Sequence, residues 1–433
     1  MRLRSPHDRE IVRLALPALG ALAAEPLYVL ADTAIVGHLG RPQIAALGLA
    51  GTVLAGAFTI FNFLTYGTTA VVARASGAGR DDEAARIAAQ ALWASLGIGL
   101  VLLVACEIVA DPLLAGLGGH GESGDFALTY FRIGAIGLPA ALVALAGQGY
   151  LRGVSNLRRP LEIVVVANLL NLVLEIVFVY VFHWGIAGSA AGTAIAQAAM
   201  GAAFVVELLR PHAPSRRPSL RAMKPLFRIG RQIFVRTAAL YASFLVAASV
   251  LARMGDAQLG AHQIAYQMFI LLALILDAVA IAGQVIVGRM LGAGEADGAY
   301  AAAARMIGWS VVIGLVFAAV LAPLSDALPR AFTDDPHVLH QAALLWPFLA
   351  VMQPLCGAVF ALDGILIGAG DTGYLMWSML AASAVFILLA ALSLTYDWGV
   401  VGVWIALDVL IAARLALLGP RFLSRKWALV GWN

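Results

Sequence analysis

Twelve apolar runs, each long enough to cross a lipid bilayer, follow one another along this chain. They lie at about 11–36, 44–73, 86–110, 128–150, 160–182, 188–209, 231–254, 262–288, 301–323, 338–367, 372–395 and 400–418. Hydrocarbon offers the backbone no hydrogen-bond partner, so a spanning run must pair its own N–H and C=O groups, as a helix or in a closed barrel. A helical crossing needs about 20 residues and a barrel strand only about 9–11; these runs have the helical length. The chain is 62% apolar and 12% charged, against about 25% charged in soluble domains. That excludes a water-soluble enzyme, a disordered chain and a coiled coil. The expected fold is an all-α polytopic membrane protein. Pro17 and Pro26 in the first run, and Pro347 and Pro354 in the tenth, mark expected kinks. The opening segment lacks the short apolar core and small-residue cleavage site of a signal peptide, so its apolar stretch is expected to be the first span. Cys106 and Cys356 stand 250 residues apart and show no disulfide or metal spacing. Both are expected as buried apolar residues.

Basic residues set the expected orientation. Arg2, Arg4 and Arg9 precede span 1; Arg74, Arg80 and Arg86 lie between spans 2 and 3; Arg152, Arg158 and Arg159 lie between 4 and 5. The linker at 210–230 holds Arg210, Arg216, Arg217, Arg221, Lys224 and Arg228. Arg289 and Arg305 flank the loop between spans 8 and 9, and Arg421, Arg425 and Lys426 end the chain. The alternate loops have little beyond Arg41, Arg132, Arg253 and Arg330. The positive-inside bias then puts both termini and the linker in the cytoplasm. The net charge of +3 needs no nucleic-acid partner.

The chain also repeats itself. At a shift of 215 residues Gly40 maps to Gly255, Arg74 to Arg289, Gly77-Ala78-Gly79 to Gly292-Ala293-Gly294, Pro139 to Pro354, Gly149 to Gly364 and Gly153 to Gly368. After one deletion the shift is 214, and Trp184, Gly185 and Gly188 map to Trp398, Gly399 and Gly402. The expected organisation is an N-lobe at 1–210, a cytoplasmic linker at 211–230 and a C-lobe at 231–433. Each lobe is a bundle of six helices, the two being pseudo-symmetric. An even number of spans per lobe makes a parallel repeat, an arrangement that lets a cavity open alternately to either side.

The repeat supplies its own control. Polarity that the fold requires should occur in both halves. Asp32 maps to Ala247, Tyr130 to Leu345, Asn168 to Ala382, Asn171 to Val385, Glu175 to Leu389 and Thr193 to Leu407. Six polar residues of the first half thus have apolar counterparts. Glu25, Tyr28 and Asp32 run i, i+3, i+7 on one face of span 1, and Asn168, Asn171 and Glu175 repeat that spacing on span 5. Thr193 and Gln197 are i, i+4 on span 6. Asp32, Glu175 and Thr193 lie five to eight residues from the outer ends of their spans, roughly 8–12 Å at 1.5 Å per residue. A carboxylate in apolar surroundings is costly, about 2.5–3.5 kcal/mol on insertion scales, and both burial and a second carboxylate favour its protonated form. Asp32 and Glu175 are therefore expected to exchange a proton as a coupled pair. Asp32, Asn171, Glu175 and Thr193 also offer oxygen ligands that Na⁺ would accept, and the residues leave H⁺ and Na⁺ open.

The second half has fewer such residues. Asp277 maps to Asn62 and Asp363 to Gln148; both acids are expected either to line the lower cavity or to hold the repeats together. Asp408, with Arg414 six residues on, reads as a structural pair or a snorkelling charge. The two Gly-Ala-Gly runs lack the Lys-Ser/Thr of a phosphate loop, and no catalytic or nucleotide-binding motif is present. No cofactor is expected.

The segments ADTAIVGHLGRPQIAALGLA (31–50), VVARASGAGR (71–80), GYLRGVSN (149–156), NLLNLVLEIVFVY (168–180), LDAVAIAGQVIVGRMLGAG (276–294) and LDGILIGAGDTGY (362–374) resemble, in style and order, those of multidrug and toxic compound extrusion (MATE) transporters of the DinF-like branch. The resemblance covers nearly the whole chain. It implies two six-helix lobes exporting organic, often cationic or amphipathic compounds in exchange for H⁺ or Na⁺. It also implies a coupling site in the first lobe: its acid on span 1 corresponds to Asp32, its tyrosine on span 4 to Tyr130, its asparagine on span 5 to Asn171 and its threonine on span 6 to Thr193. One departure is Glu175, where the family typically has aspartate.

The expected function is a secondary active multidrug antiporter of the plasma (inner) membrane, with Asp32, Glu175, Asn171, Thr193 and Tyr130 coupling a cation. Glu25, Tyr28, Asn168, Gln197, Asp277 and Asp363 are expected around the substrate cavity. H⁺ is preferred to Na⁺ as the coupling ion. Expected partners are small organic substrates, the coupling cation and the lipid bilayer, with no nucleic acid and a monomeric state. Rival readings are a lipid-linked precursor flippase of the same superfamily, a membrane-embedded enzyme and a non-transporting scaffold.

Overall fold

The computed structural model describes residues 6–431; Arg2 and Arg4, used above for orientation, lie outside the described residues. Ten of the described helices are long and apolar enough to cross a membrane. An eleventh crossing is a bent pair, Gly121–Ile136 (α5) and Leu138–Gly153 (α6), which meet at 47°. The remaining predicted run, 44–73, is built as Arg41–Ile60 (α2) and Phe63–Gly77 (α3), interrupted at Phe61-Asn62. The ten helices, the bent pair and this interrupted run lie where the twelve apolar runs are expected.

The chain divides into two compact units. One comprises Gly20–Gly230; the other comprises residues up to Leu19 together with those from Arg231 onward. The first unit holds most of α1 (Pro6–Gly37), then α2 to α6 with α4 at Asp81–Gly116, then α7 (Arg158–Ile176) and α8 (Gly185–Leu209). A π-helical turn, Val177–Val181, extends α7. The second unit holds α9 (Leu220–Met254) from Arg231, α10 (Asp256–Gly292), α11 (Ala296–Leu321), the short α12 (Ala327–Arg330), α13 (Pro336–Gly368), α14 (Thr372–Thr395) and α15 (Gly399–Leu423).

Helix α1 thus belongs to both units, for reasons its sequence supplies. Near its start, Asp8 accepts from Arg305 at 2.7 and 2.8 Å and from the Trp309 indole at 2.9 Å, and Glu10 accepts from Arg289 at 2.6 Å. Ile11, Leu14 and Ala18 bury the apolar face between these acids and Leu19. Beyond Leu19, the helix carries Glu25, Tyr28 and Asp32 into the first unit.

The glycines shared by the two halves are packing positions. A methyl group on Gly149 would lie 2.6 Å from the Thr65 carbonyl oxygen; on Gly364 it would overlap the carbonyl of Ala280, the counterpart of Thr65. Gly99 and its counterpart Gly314 likewise bring their helices against Pro139 and against the Gln353-Pro354 backbone. Small residues that let helix backbones touch are a main source of association in a membrane, and each half makes these contacts in the same places. The halves differ in continuity. Where the first unit breaks at Phe61-Asn62 and bends at Gly137, the second runs α10 and α13 through without interruption, α13 with Pro347 and Pro354 inside it. Cys106 and Cys356 are free and buried.

Candidate functional site

The first unit encloses a cavity of about 510 Å³, lined by Glu25, Tyr28 and Asp32 of α1, Tyr130 of α5, Asn168 and Asn171 of α7, and Thr193 and Gln197 of α8. Eight residues singled out from the repeat and from helical spacing therefore meet at one place. The geometry follows from the spacing: i, i+3, i+7 on α1 and α7 and i, i+4 on α8 each give one polar face in an otherwise apolar helix.

The polar groups form a hydrogen-bonded net. Asp32 is 5% exposed; its Oδ1 accepts from the Ser189 hydroxyl at 2.7 Å and its Oδ2 from the Tyr130 hydroxyl at 3.5 Å. Tyr28 and Thr193 share a hydroxyl–hydroxyl bond of 2.8 Å, and Asn171 Nδ2 donates to the same Thr193 oxygen at 3.3 Å. Asn168 Nδ2 donates to the Ala24 carbonyl at 3.0 Å, tying α7 to α1. Near the C-terminal end of α1, the Tyr180 hydroxyl donates to the Ile35 carbonyl at 3.1 Å.

Glu175 is the exception. It is fully buried, lies behind the cavity wall with Asp32 and Ser189 as polar neighbours, and neither of its carboxylate oxygens has a hydrogen-bond partner. Asn171 Oδ1 is also buried without a donor. Gly192 leaves room beside them; a methyl there would meet the Glu175 backbone nitrogen at 3.2 Å and Asn171 Oδ1 at 3.4 Å. The structure thus provides two neighbouring carboxyls, one with a hydroxyl donor on each oxygen and one with none, next to an open amide oxygen. Such a set can take up a small cation or a proton, since an uncompensated buried carboxylate is costly.

Asp277 and Asp363 are in the other unit and do not line this cavity. Asp277 lies on α10, partly buried. Asp363 Oδ2 accepts from Arg236 of α9 and, at 2.5 Å, from Arg414 of α15, so it ties three helices together. The expected Asp408–Arg414 pair gives way to this arrangement. The Arg414 guanidinium, 2% exposed, is taken up by Asp363, and Asp408 Oδ1 is left without a partner.

Two participants were missed, although the repeat marks both: Ser189 maps to Val403 and Tyr180 to Leu394. Arg152 was missed as well. It was read as a loop charge, but it is buried in the last turn of α6 and lines the cavity.

The MatE family model matches this chain twice, at residues 17–177 and 233–392. The two matches begin 216 residues apart (233 − 17) and end 215 apart (392 − 177), the period of the internal repeat. The chain belongs to the MatE family. Among its relatives, protein DETOXIFICATION 44, chloroplastic, of Arabidopsis thaliana is 31% identical over 94% of this chain and 80% of its own length. DNA damage-inducible protein F of Escherichia coli (strain K12) is 29% identical over 96% of this chain and 92% of its own. Among solved structures, a multidrug resistance MATE family transporter of the MOP superfamily in an outward-facing conformation aligns with a TM-score of 0.87. It covers 98% of this chain and 96% of its own, at 22% identity. A MOP superfamily transporter from Pyrococcus furiosus aligns with a TM-score of 0.86 over the same shares. The fold is therefore the two-bundle MATE fold, and the protein is a multi-pass membrane transporter of the MatE family, not an enzyme.

Proposed function

We propose that this MATE protein is a secondary active exporter of organic, cationic or amphipathic compounds, driven by cation entry through the Asp32–Glu175 site. The observation that carries the reading is Glu175, a carboxyl buried with no donor on either oxygen, beside Asp32 in the wall of a cavity of ligand size. The other half of the repeat builds the same helices with Ala247 and Leu389 at these two places, so packing alone does not account for the pair.

H⁺ suits this site better than Na⁺. Thr193 is engaged by Tyr28 and Asn171, and both Asp32 oxygens accept hydroxyl donors. Glu175 and Asn171 Oδ1 are what remains, enough to hold a proton and few for a bare metal cation. The second reading, Na⁺, is favoured by Asn171 Oδ1, an open acceptor that a proton on Glu175 would use only in part. A proton moving down about 100 mV gains roughly 2.3 kcal/mol, and one pH unit adds about 1.4 kcal/mol. Together they sustain a roughly 500-fold substrate gradient per proton. In this reading the protein sits in the plasma (inner) membrane as a monomer, with both termini cytoplasmic.

The test is efflux of a fluorescent organic cation from proteoliposomes under an imposed pH gradient without Na⁺, and then under an imposed Na⁺ gradient at uniform pH. Efflux under the first alone is the expected result. Efflux under the second alone selects Na⁺, and efflux under neither overturns the exporter reading.

A further inference from the structure

Where the linker enters α9, four cations of the first unit face outward without a protein counter-charge. The backbone there is fastened to α4. The buried Gln90 side chain donates to the Arg217 carbonyl and accepts from the Ser219 N–H, both at 2.9 Å, and the Trp93 indole donates to the Arg216 carbonyl at 2.8 Å. The first turns of α9 then lie on α3. Met223, Leu226 and Gly230 are buried, and a methyl on Gly230 would meet the Phe63 ring at 2.7 Å.

Arg217, Arg221, Lys224 and Arg228 follow one another at spacings of four, three and four, the spacing of one helix face, and all four are exposed. Among the described residues, none of their side chains is in an ion pair or hydrogen bond. The neighbouring Arg216 differs, turning its guanidinium back onto the Leu209 and Pro211 carbonyls at 2.7 and 3.2 Å. Glu83 is taken by Arg86, and Glu162 and Glu207 by Arg159. Asp81 and Asp82 border Pro214 at the start of α4. Beside the basic row, Leu220 and Phe227 stand seven residues apart and are 82% and 40% exposed.

The depth of this segment follows from α4. After Arg86, α4 runs through twenty uncharged residues, 87–106, to Glu107, the length of one hydrocarbon crossing. Gln90 and Trp93 are four and seven residues past Arg86, about 6 and 10 Å along the helix. An exposed tryptophan near the end of such a run marks the headgroup level. Fastening to Gln90 and Trp93 therefore holds the start of α9 at the edge of the hydrocarbon. A soluble anion would meet the four cations and leave Leu220 and Phe227 unmatched. A lipid with a negative headgroup matches both.

We propose that residues 217–228 form a binding site for anionic phospholipid, with headgroup phosphate on Arg217, Arg221, Lys224 and Arg228 and acyl chain against Leu220 and Phe227. The proposal is independent of the exporter reading and holds for either leaflet.

The test offers the full-length protein in detergent equal amounts of phosphatidylglycerol and phosphatidylcholine with identical acyl chains and counts bound lipid by native mass spectrometry. The wild type is expected to retain phosphatidylglycerol at least tenfold over phosphatidylcholine. Each basic residue at an anionic membrane surface is worth about fivefold in binding. The triple variant Arg221→Gln, Lys224→Gln, Arg228→Gln is therefore expected to lose at least tenfold of the preference. The control triple variant Arg41→Gln, Arg253→Gln, Arg330→Gln removes the same charge elsewhere and is expected to keep the preference within about twofold. The wild-type comparison needs no variant, so misfolding of a variant does not compromise it. Equal retention of the two lipids by the wild type, or a preference that survives in the α9 variant, overturns the proposal. Displacement of the phosphatidylglycerol by millimolar inorganic phosphate also overturns it, since the site would then be one for a soluble anion.

Discussion

Replacing Glu175 by glutamine should stabilise this protein while destroying its coupling. Most substitutions at fully buried positions destabilise, so the sign is diagnostic. Both Glu175 oxygens are buried without a donor, and Asp32 is a polar neighbour. The ionised side chain therefore bears a desolvation cost with nothing bonded to it, at most about 2.5–3.5 kcal/mol, the insertion-scale value for a charge at a helix centre, since Glu175 lies six residues from the end of its span. Glutamine keeps the shape, removes the charge and places an NH₂ donor near the Asp32 carboxylate and Asn171 Oδ1. An interhelical hydrogen bond in a membrane is worth about 0.6–2 kcal/mol. Side-chain relaxation takes back part of this, leaving an expected gain of about 1–3 kcal/mol at neutral pH. The assay is thermal unfolding in detergent across pH. The variant's midpoint should exceed that of the wild type at neutral pH, and the difference should narrow in acid, where a protonated Glu175 is neutral like glutamine. A destabilised Glu175→Gln variant at neutral pH would refute the reasoning, because it would mean the carboxylate is satisfied in the folded protein.

Ser189→Ala removes a 2.7 Å donor from Asp32 and should lower stability by about 0.6–2 kcal/mol, read from the same unfolding assay, while slowing ion-driven efflux. Arg414→Ala breaks a buried ion pair and leaves Asp363 with Arg236 alone; the expected cost is about 3–5 kcal/mol, seen as loss of folded protein at the growth temperature. Gly149→Val and Gly364→Val should both fail to fold, since each forces a side chain onto a carbonyl of a neighbouring helix. Normal yields of both variants by size-exclusion chromatography would refute that assignment of the repeated glycines.

The sequence made the helices, the two-fold repeat and the principal polar cluster legible for one reason. Duplication separates what packing demands from what is added to it. Gly149 and Gly364 recur because two backbones touch there, whereas Asp32 and Glu175 do not recur because nothing in the bundle needs them. Less was legible where local pattern and three-dimensional neighbours diverge. The break at Phe61-Asn62 interrupts an apolar run with no proline to mark it, whereas the bend at Gly137 is followed by Pro139, whose missing N–H leaves the bond back to Ala135 unmade. Arg152 resembled a loop charge because it ends a helix, and only the packing of α6 against the cavity buries it. Arg414 lies six residues from Asp408, but its partner Asp363 is 51 residues away in the chain. Sequence spacing reports which residues share a face of one helix; it does not report which faces meet.

The account rests most heavily on Asp32 and Glu175 coupling ion entry to export. Its most direct test compares wild type, Asp32→Asn and Glu175→Gln in proteoliposomes, measuring both uphill efflux of a fluorescent organic cation under an ion gradient and its downhill exchange without one. The predicted result is uphill efflux reduced at least tenfold in each variant, with exchange retained, so that the path remains and the drive is lost. Uphill efflux at wild-type rates in both variants would contradict the account and place the coupling groups outside the first unit's carboxylate pair.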